Sequence, residues 1–174
     1  MIDFTSIEYL KQGNPIQRDA YKVLSELKLF SILREYDPIL TGTIPIEIDI
    51  PGSDLDIICY CNNHDEFVRL IKNEFSNQED LSIETKRING KETTIARFKS
   101  HDFSVEIFGQ NIPTKEQMAY RHMIIEYEIM NKMGEEFKTR IVELKKSGIK
   151  TEPAFAILLG LEGDPYKALL QYRF

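Results

Sequence analysis

The sequence predicts an α+β fold in which a small mixed, mostly antiparallel sheet is flanked by helices and followed by a helical C-terminal half. β-rich segments are confined to residues 38–110, and the pair Asn89-Gly90 is typical of a hairpin turn between two of them. Helical periodicity then continues from residue 114 to residue 172. We therefore predict one domain over 1–174, with a sheet-containing core at 1–113 and a helical part at 114–174 packed on it.

Composition and charge limit the function classes. A chain of 174 residues with 42% hydrophobic and 29% charged residues is ordinary for a soluble domain. The net charge of −6 disfavours a broad electrostatic grip on nucleic acid, which usually needs a basic surface. The N-terminal segment "MIDFTSIEYLKQG" lacks a basic stretch followed by an apolar run, and no apolar run is long enough for a membrane span. We expect a cytoplasmic protein without a membrane partner.

The N-terminal part predicts helix and then a short strand. Asn14 is a typical N-cap and Pro15 a typical first helical residue. Asp37-Pro38 should end this helical region. A short strand should follow and lead through a glycine turn into an irregular loop, because Pro45 and Pro51 disfavour a regular strand between them.

The central part predicts the rest of the sheet. In order, "SDLDIICYC" indicates a strand, "NHDEFVRLIKNEFSN" an amphipathic helix, "LSIETKRINGKETTIARFK" a hairpin and "DFSVEIFGQ" another strand. Cys59 and Cys61 should be small buried side chains, since a disulfide two residues apart on a strand has poor geometry and no further zinc ligands are spaced suitably. The helices that follow are predicted at 115–133, 135–147, 151–160 and 164–172, with Thr151 as an N-cap.

Asp54 and Asp56 are unusual at the start of a buried strand. Residues i and i+2 of a strand share a face, so the two carboxylates should lie about 6–7 Å apart. Unpaired buried carboxylates are costly, and two like charges resist joint ionisation. Either these side chains reach water, or a cation lies between them. A Mg²⁺ ion, which prefers hard oxygen ligands and phosphate, would suit the pair.

Two further features strengthen the metal interpretation. Glu106 alternates with apolar neighbours on another predicted strand and would complete a three-acid cluster if that strand lies beside residues 54–60. Gly42 and Thr43 follow a strand, where a glycine lets backbone N–H groups approach phosphate. Taken singly, Asp54 and Gly42 are ordinary turn residues and Glu106 an ordinary exposed strand residue. Together and in this order they form a more specific pattern.

"TGT", ten residues and then "DLDI" resemble the signature of the nucleotidyltransferase superfamily, which has the DNA polymerase beta-like fold. The chain is more closely similar to a bacterial branch of it, a domain-of-unknown-function family, through "GTIPIEIDIPGSDLDIICY", "VEIFGQ", "QMAYRHMIIE" and "KTEPAFAILLGLEGDPYKALL". This resemblance extends over nearly the whole chain. Two differences from the superfamily pattern are Thr43 in place of a serine and Glu106 in place of an aspartate.

The resemblance implies Mg²⁺-dependent transfer of a nucleotidyl group, with Mn²⁺ as a possible substitute. Asp54, Asp56 and Glu106 are then the catalytic and metal-binding residues, and Glu106 is either the third ligand or the general base. Gly42 and Thr43 are implied to hold the β- and γ-phosphates, and Ser53 is a further candidate for nucleotide binding.

The helical half supplies weaker candidates. Gln117, Tyr120 and Arg121 share one helical face, and Arg121 or His122 would meet phosphate or acceptor if that helix lines the cleft. Lys150 stands beside a helix N-terminus, which can attract an anion. A solvated helix face and ordinary helix capping are the alternative explanations of these features.

We expect an enzyme that moves a nucleoside monophosphate from a nucleoside triphosphate such as ATP to a hydroxyl group of a small molecule or a protein, and not to long nucleic acid. Two alternatives remain: a non-catalytic nucleotide-binding module of the same fold, and a metal-dependent phosphoester hydrolase. The sequence indicates neither the acceptor nor the oligomeric state.

Overall fold

The computed structural model describes residues 2–173 and contains seven α-helices and five strands. In chain order these elements are α1 (Pro15–Glu26), α2 (Leu29–Ile32), β1 (Ile39–Thr41), β2 (Leu55–Tyr60), α3 (His64–Phe75), β3 (Glu79–Ile88), β4 (Lys91–Ser100), β5 (Phe103–Gln110), α4 (Met118–Met133), α5 (Glu135–Lys146), α6 (Thr151–Leu159) and α7 (Pro165–Gln171). The predicted α+β class, with its helical C-terminal half, is confirmed.

The five strands form one open sheet in the order β1-β2-β5-β4-β3. β2 and β5 run parallel, whereas the other three pairs are antiparallel. The predicted hairpin is present, and its turn contains Asn89 at φ +50° and Gly90 at φ +77°. Parallel neighbours need a long crossover connection, and here α3 and the β3–β4 hairpin provide it between β2 and β5.

α1 begins where the sequence predicts. The Asn14 side chain accepts a hydrogen bond from the Gln17 N–H, and the Gln17 side chain accepts one from the Asn14 N–H. This reciprocal capping box satisfies two N–H groups that would otherwise lack partners. α6 differs from the prediction by one residue, because Lys150 occupies the N-cap position without a capping side-chain bond and Thr151 is the first helical residue.

Two groups of buried side chains form the interior. One lies between the sheet and helices α1 and α3 and includes Leu24, Ile57 and Phe67. The other lies among α4, α5, α6 and α7 and includes Ile129 and Phe155. Both cysteines are buried free thiols in the first group, as predicted. None of the described helices combines the length and hydropathy that a membrane crossing requires.

Candidate functional site

A row of polar residues crosses all five strands at one level of the sheet. The backbone register pairs Thr41 with Asp56, Asp56 with Glu106, Glu106 with Arg97 and Arg97 with Ser82. Residues paired in this way on adjacent strands point to the same face. The strands that carry Asp56 and Glu106 are therefore neighbours, which is the condition that the three-acid interpretation set, and Arg97 follows Glu106 on the next strand.

Asp56 lies at the centre of the row in a confined environment. Burial, together with the negative charges of Glu106 and Asp54, raises the pKa of Asp56 to about 7. Gly42 follows β1 with φ +83°, and a Cβ atom at this position would lie 2.6 Å from Asp56 Oδ2. Glycine is thus required both for the backbone conformation and for the close approach to the carboxylate.

Arg97 is the cation beside the acids. Its Nη2 lies 2.7 Å from Glu106 Oε2, and its Nη1 lies 3.2 Å from Glu84 Oε1. The positive charge of Arg97 also acts against the rise in the pKa values of Asp54 and Asp56. The sequence analysis did not identify Arg97, because its position opposite Glu106 depends on the register of a strand pair that is distant along the chain.

The predicted three-carboxylate metal site is not assembled in this arrangement. Within residues 2–173, no three His, Cys, Asp or Glu side chains come together as a group that could hold a metal ion. Glu106 is instead paired with Arg97, and Asp54 lies just before β2, where burial raises its pKa and Arg97 opposes the rise. Asp54 and Asp56 still offer the hard oxygen atoms that suit Mg²⁺, and Glu106 would join them if its ion pair were exchanged.

The loop after Gly42 is fixed from two sides. Thr43 Oγ1 lies 3.4 Å from Ser53 Oγ, and Ser53 Oγ accepts a hydrogen bond from the Ile50 N–H at 2.9 Å. From α1, the buried amide of Gln17 donates to the carbonyl oxygens of Ile44 and Pro45 at 2.9 and 3.2 Å. These bonds make the segment after β1 a defined part of the site although it contains no strand.

Asp56 and Glu106 lie on the wall of a cavity of about 660 Å³, a volume suited to a nucleotide or a small ligand. Gly42 and Thr43 border one side, and Lys91, next to the tip of the β3–β4 hairpin, borders another. The cavity is strongly acidic. Five carboxylates line it, against one lysine and one histidine: Asp56, Glu106, Glu116, Glu126, Glu152, Lys91 and His122.

α4 forms the wall opposite the sheet through a stripe at helical spacing: Met118, Ala119, His122, Met123 and Glu126. Arg121 is exposed and absent from this stripe, because about 100° of rotation per residue places it on the other side of the helix. Lys150 is exposed and Ser53 borders a neighbouring cavity, so neither lines this one. α4 thus lines this cavity through His122, whereas Arg121 does not border it, and the roles suggested for this helix in phosphate or acceptor binding stay predictions.

Two buried acceptors on the same wall lack a hydrogen-bond partner among the described residues. The Gln117 amide nitrogen donates to the carbonyls of Cys59 and Ile112, each at 2.9 Å, which leaves Gln117 Oε1 unpaired. Glu126 is only 4% exposed, and its Oε1 is also unpaired. The sequence analysis missed Glu126, although an acid one helical turn after His122 within an apolar stretch was a usable signal.

Glu126 lies among other titratable groups. Burial and the charge of Glu152 raise the pKa of Glu126 well above its ordinary value, while Lys145 opposes the rise. Lys145, on α5, donates to the Ile48 carbonyl oxygen, and burial lowers its pKa to about 8. The described residues place no hydrogen-bonding partner on Glu126 Oε1. A buried carboxyl oxygen without a hydrogen-bonding partner raises the free energy of the folded state.

Comparison with known families gives one match. The model described as Domain of unknown function (DUF4269) matches residues 22–172. A search of curated proteins finds no match.

Several solved structures share the fold. Cid1, described as an RNA terminal uridylyl transferase, superposes with a TM-score of 0.56 at 12% identity, over 80% of this chain and 45% of its own. A mutant of the Cid1 poly(U) polymerase bound to MgATP superposes with a TM-score of 0.57 at 8% identity. The superposition covers 94% of this chain and 53% of the mutant's chain. A cytoplasmic RNA terminal U-transferase superposes with a TM-score of 0.54 at 10% identity, and the superposition covers 80% of this chain and 44% of its own. The present chain covers about half of each of these chains, and at such identities the similarity concerns the fold.

Proposed function

Because the chain belongs to the DUF4269 family and has a nucleotidyltransferase-like fold, we propose that it transfers a nucleoside monophosphate from a nucleoside triphosphate to a hydroxyl group of a small-molecule or protein acceptor. The observation that carries this proposal is the placement of Asp56 and Glu106 as register partners on the wall of the 660 Å³ cavity, with the Gly42 backbone against Asp56.

Asp54 and Asp56 would hold Mg²⁺, or Mn²⁺ in its place. The donor set consists of carboxylate oxygens near a cavity of nucleotide size, and this is the chemistry that Mg²⁺ and a triphosphate require. A bound Mg²⁺ ion supplies positive charge that stabilises the negative charge developing during phosphoryl transfer. Gly42 and Thr43 would receive the β- and γ-phosphates through backbone N–H groups and the Thr43 hydroxyl.

In the proposed reaction, the acceptor hydroxyl oxygen bonds to the α-phosphorus as the bond between the α-phosphorus and the bridging oxygen of the β-phosphate breaks. Pyrophosphate leaves with that oxygen. The proton of the hydroxyl passes to a base, for which Glu106 is the candidate once Arg97 has released it. If Glu106 serves as a metal ligand instead, solvent receives the proton.

The acceptor is proposed to be smaller than a long nucleic acid. The net charge is −6, and five carboxylates line the cavity. A surface that binds a long nucleic acid strand normally carries cations along the path of the phosphates, and this cavity wall has one lysine against five carboxyl groups. The structural neighbours described as RNA terminal transferases make RNA the necessary comparison.

The test is to incubate the protein with each α-labelled nucleoside triphosphate and Mg²⁺, and to measure pyrophosphate release and transferred label. Acceptors are supplied in separate reactions as a small-molecule extract, a protein extract and RNA. We expect release with an extract and none with the Asp54→Asn/Asp56→Asn double variant. Release that survives the double variant, or that requires RNA, contradicts the proposal. Binding without turnover indicates a non-catalytic module, and free monophosphate indicates hydrolysis.

A further inference from the structure

We propose that the acidic end of the cavity, formed by Glu126 and Glu152 beside His122, binds a protonated amino group, so that the acceptor is a small compound carrying both an amine and a hydroxyl. This inference rests on the proposed function, because it names the acceptor class of the same site. It assigns a role to residues that the metal and phosphate chemistry leaves unused.

The first argument concerns unsatisfied acceptors. Among the described residues, three buried side-chain polar atoms lack a partner, and two of them belong to residues on the α4 wall of this cavity, Gln117 and Glu126. The Gln117 nitrogen donates to two carbonyls, so the unpaired Gln117 oxygen is an acceptor, and Glu126 Oε1 is an acceptor when that carboxyl group is ionised. Buried polar groups are nearly always hydrogen-bonded in folded proteins. A ligand that satisfies them must present hydrogen-bond donors on this side.

The second argument concerns charge. Glu152 lies close enough to Glu126 for its negative charge to raise the pKa of Glu126. Lys145, whose charge acts on Glu126, already donates to the Ile48 carbonyl. Glu152 is accompanied by His122, whose Nδ1 lies 3.8 Å from Glu152 Oε1 and whose Nε2 lies 2.9 Å from the Tyr166 carbonyl oxygen. Because a carbonyl can only accept, Nε2 donates there and cannot serve a ligand.

The third argument selects an amine over other donors. An ammonium group brings a positive charge and three N–H donors, whereas a neutral hydroxyl brings one donor and no charge. Hydrogen bonds between ionised partners are also stronger than neutral ones. The ammonium would favour the ionised form of Glu126 and donate a hydrogen bond to its unpaired Oε1.

The test measures amine binding in EDTA and without nucleotide, so that its outcome does not depend on catalysis. The probes are diaminopropanol and spermidine, with glycerol as a neutral comparator, all at fixed ionic strength. Dissociation constants come from calorimetry, and thermal denaturation gives the stabilisation of the fold. We expect both amines to bind and to raise the melting temperature, and glycerol to do neither.

Substitutions of the two glutamates test where the amine binds. Glu126→Gln and Glu152→Gln should each weaken amine binding about tenfold or more, as loss of one charge-assisted hydrogen bond predicts. Glu143→Gln, an exposed position on α5 outside the cavity, is the matched control and should bind like the wild type. Glu152→Gln keeps the test valid if Glu126→Gln does not fold, because Glu152 is partly exposed.

Three results would overturn the inference: no amine binding, equal binding by glycerol, or amine binding that is lost in Asp56→Asn but kept in both glutamate variants. The last result would place the amine at the metal-binding acids. If Glu126→Gln weakens ATP binding while amines have no effect, these acceptors serve the nucleotide base instead. Failure of the proposed transfer activity, by contrast, would appear only in the nucleotide assays.

Discussion

Arg97 Nη2 lies 2.7 Å from Glu106 Oε2, between an acid of the candidate site and the solvent-exposed hairpin strand β3. The sequence left open whether the acids of the site reach water or share a cation. In this structure Asp54 is exposed to water, whereas Arg97 neutralises Glu106 directly and also lowers the electrostatic cost of Asp54 and Asp56. Metal binding by all three acids would therefore require an exchange of partners at Glu106.

Arg97→Gln tests this exchange. The ion pair is partly exposed, so its loss should cost no more than about 1 kcal/mol of stability in EDTA. The variant should show a larger rise in melting temperature with Mg²⁺ than the wild type, because Glu106 is released and the site becomes more negative. Lys99→Gln is the control, since Lys99 lies on the same strand and makes a surface pair with Asp80. A Mg²⁺ response equal to that of the control would show that Arg97 does not compete with the metal.

Asp56→Asn tests the charge at the centre of the row. The pKa of Asp56 is raised to about 7 in the folded protein, so between about pH 4 and about pH 7 the folded state holds a proton that the unfolded state has lost. Stability of the metal-free wild type should consequently fall as the pH rises through this window. Asparagine carries no charge and avoids the free-energy cost of ionising Asp56 in the folded state. The variant should therefore gain on the order of 2 kcal/mol of stability relative to the wild type by about pH 8.

The measurement is urea denaturation in EDTA across that pH range, with Asp19→Asn on the exposed face of α1 as the control. Asp56→Asn should also lose any stabilisation by Mg²⁺ and nucleotide. If the variant is instead much less stable at every pH, Asp56 is a structural hydrogen-bond acceptor and not a strained metal ligand.

Gly42→Ala tests the close approach to Asp56. Gly42 and Gly52 have nearly equal dihedral angles, φ +83° and +87°, so alanine strains the backbone similarly at both positions, by about 1–2 kcal/mol. Only at Gly42 does the new Cβ meet an atom, Asp56 Oδ2 at 2.6 Å. We expect similar backbone strain in both variants, with transfer activity and nucleotide-dependent stabilisation lost in Gly42→Ala alone. Comparable transfer activity in the two variants would show that the close approach of Gly42 to Asp56 is not needed for function.

Gln17→Ala tests how α1 positions the glycine loop. It removes the capping box and both amide bonds to the carbonyls of Ile44 and Pro45, and should cost about 2–4 kcal/mol because buried carbonyl groups are left unpaired. Asn14→Ala removes only the cap and should cost about 1 kcal/mol. Urea denaturation of both variants measures the difference between their free energies of unfolding. Equal losses would mean that the loop does not depend on Gln17.

The sequence predicted the elements well because their signals are local. The Asn14 cap, the Asn89-Gly90 turn and the alternation around Asp56 each depend on a few neighbouring residues, and each is found as expected. The prediction that Asp54, Asp56, Glu106, Gly42, Thr43 and Ser53 act in catalysis or nucleotide binding stays a prediction. Their arrangement is described above, and their roles await the assays.

The partners of these residues were not predictable in the same way. Arg97 meets Glu106 only through the β4–β5 register, and Glu126 faces the cavity only because α4 packs across it. Arg121 and Lys150 were chosen for their charge and their helical positions, but both side chains are exposed and neither lines the cavity. Such contacts depend on tertiary packing, for which a single sequence carries little local signal.

The polar row across the sheet also bears on folding fidelity. A shift of one residue in the pairing of β5 would turn Glu106 towards the interior and bring Val105 and Ile107 to the opposite face. Burying an unpaired charge costs far more than a strand pairing gains, so the slipped state is disfavoured at the moment it forms. Glu106→Ile should remove this penalty, and refolding of that variant should show an additional slow phase by stopped-flow fluorescence. The acids of the candidate site would thereby also favour the native register of β5 over a shifted one during folding.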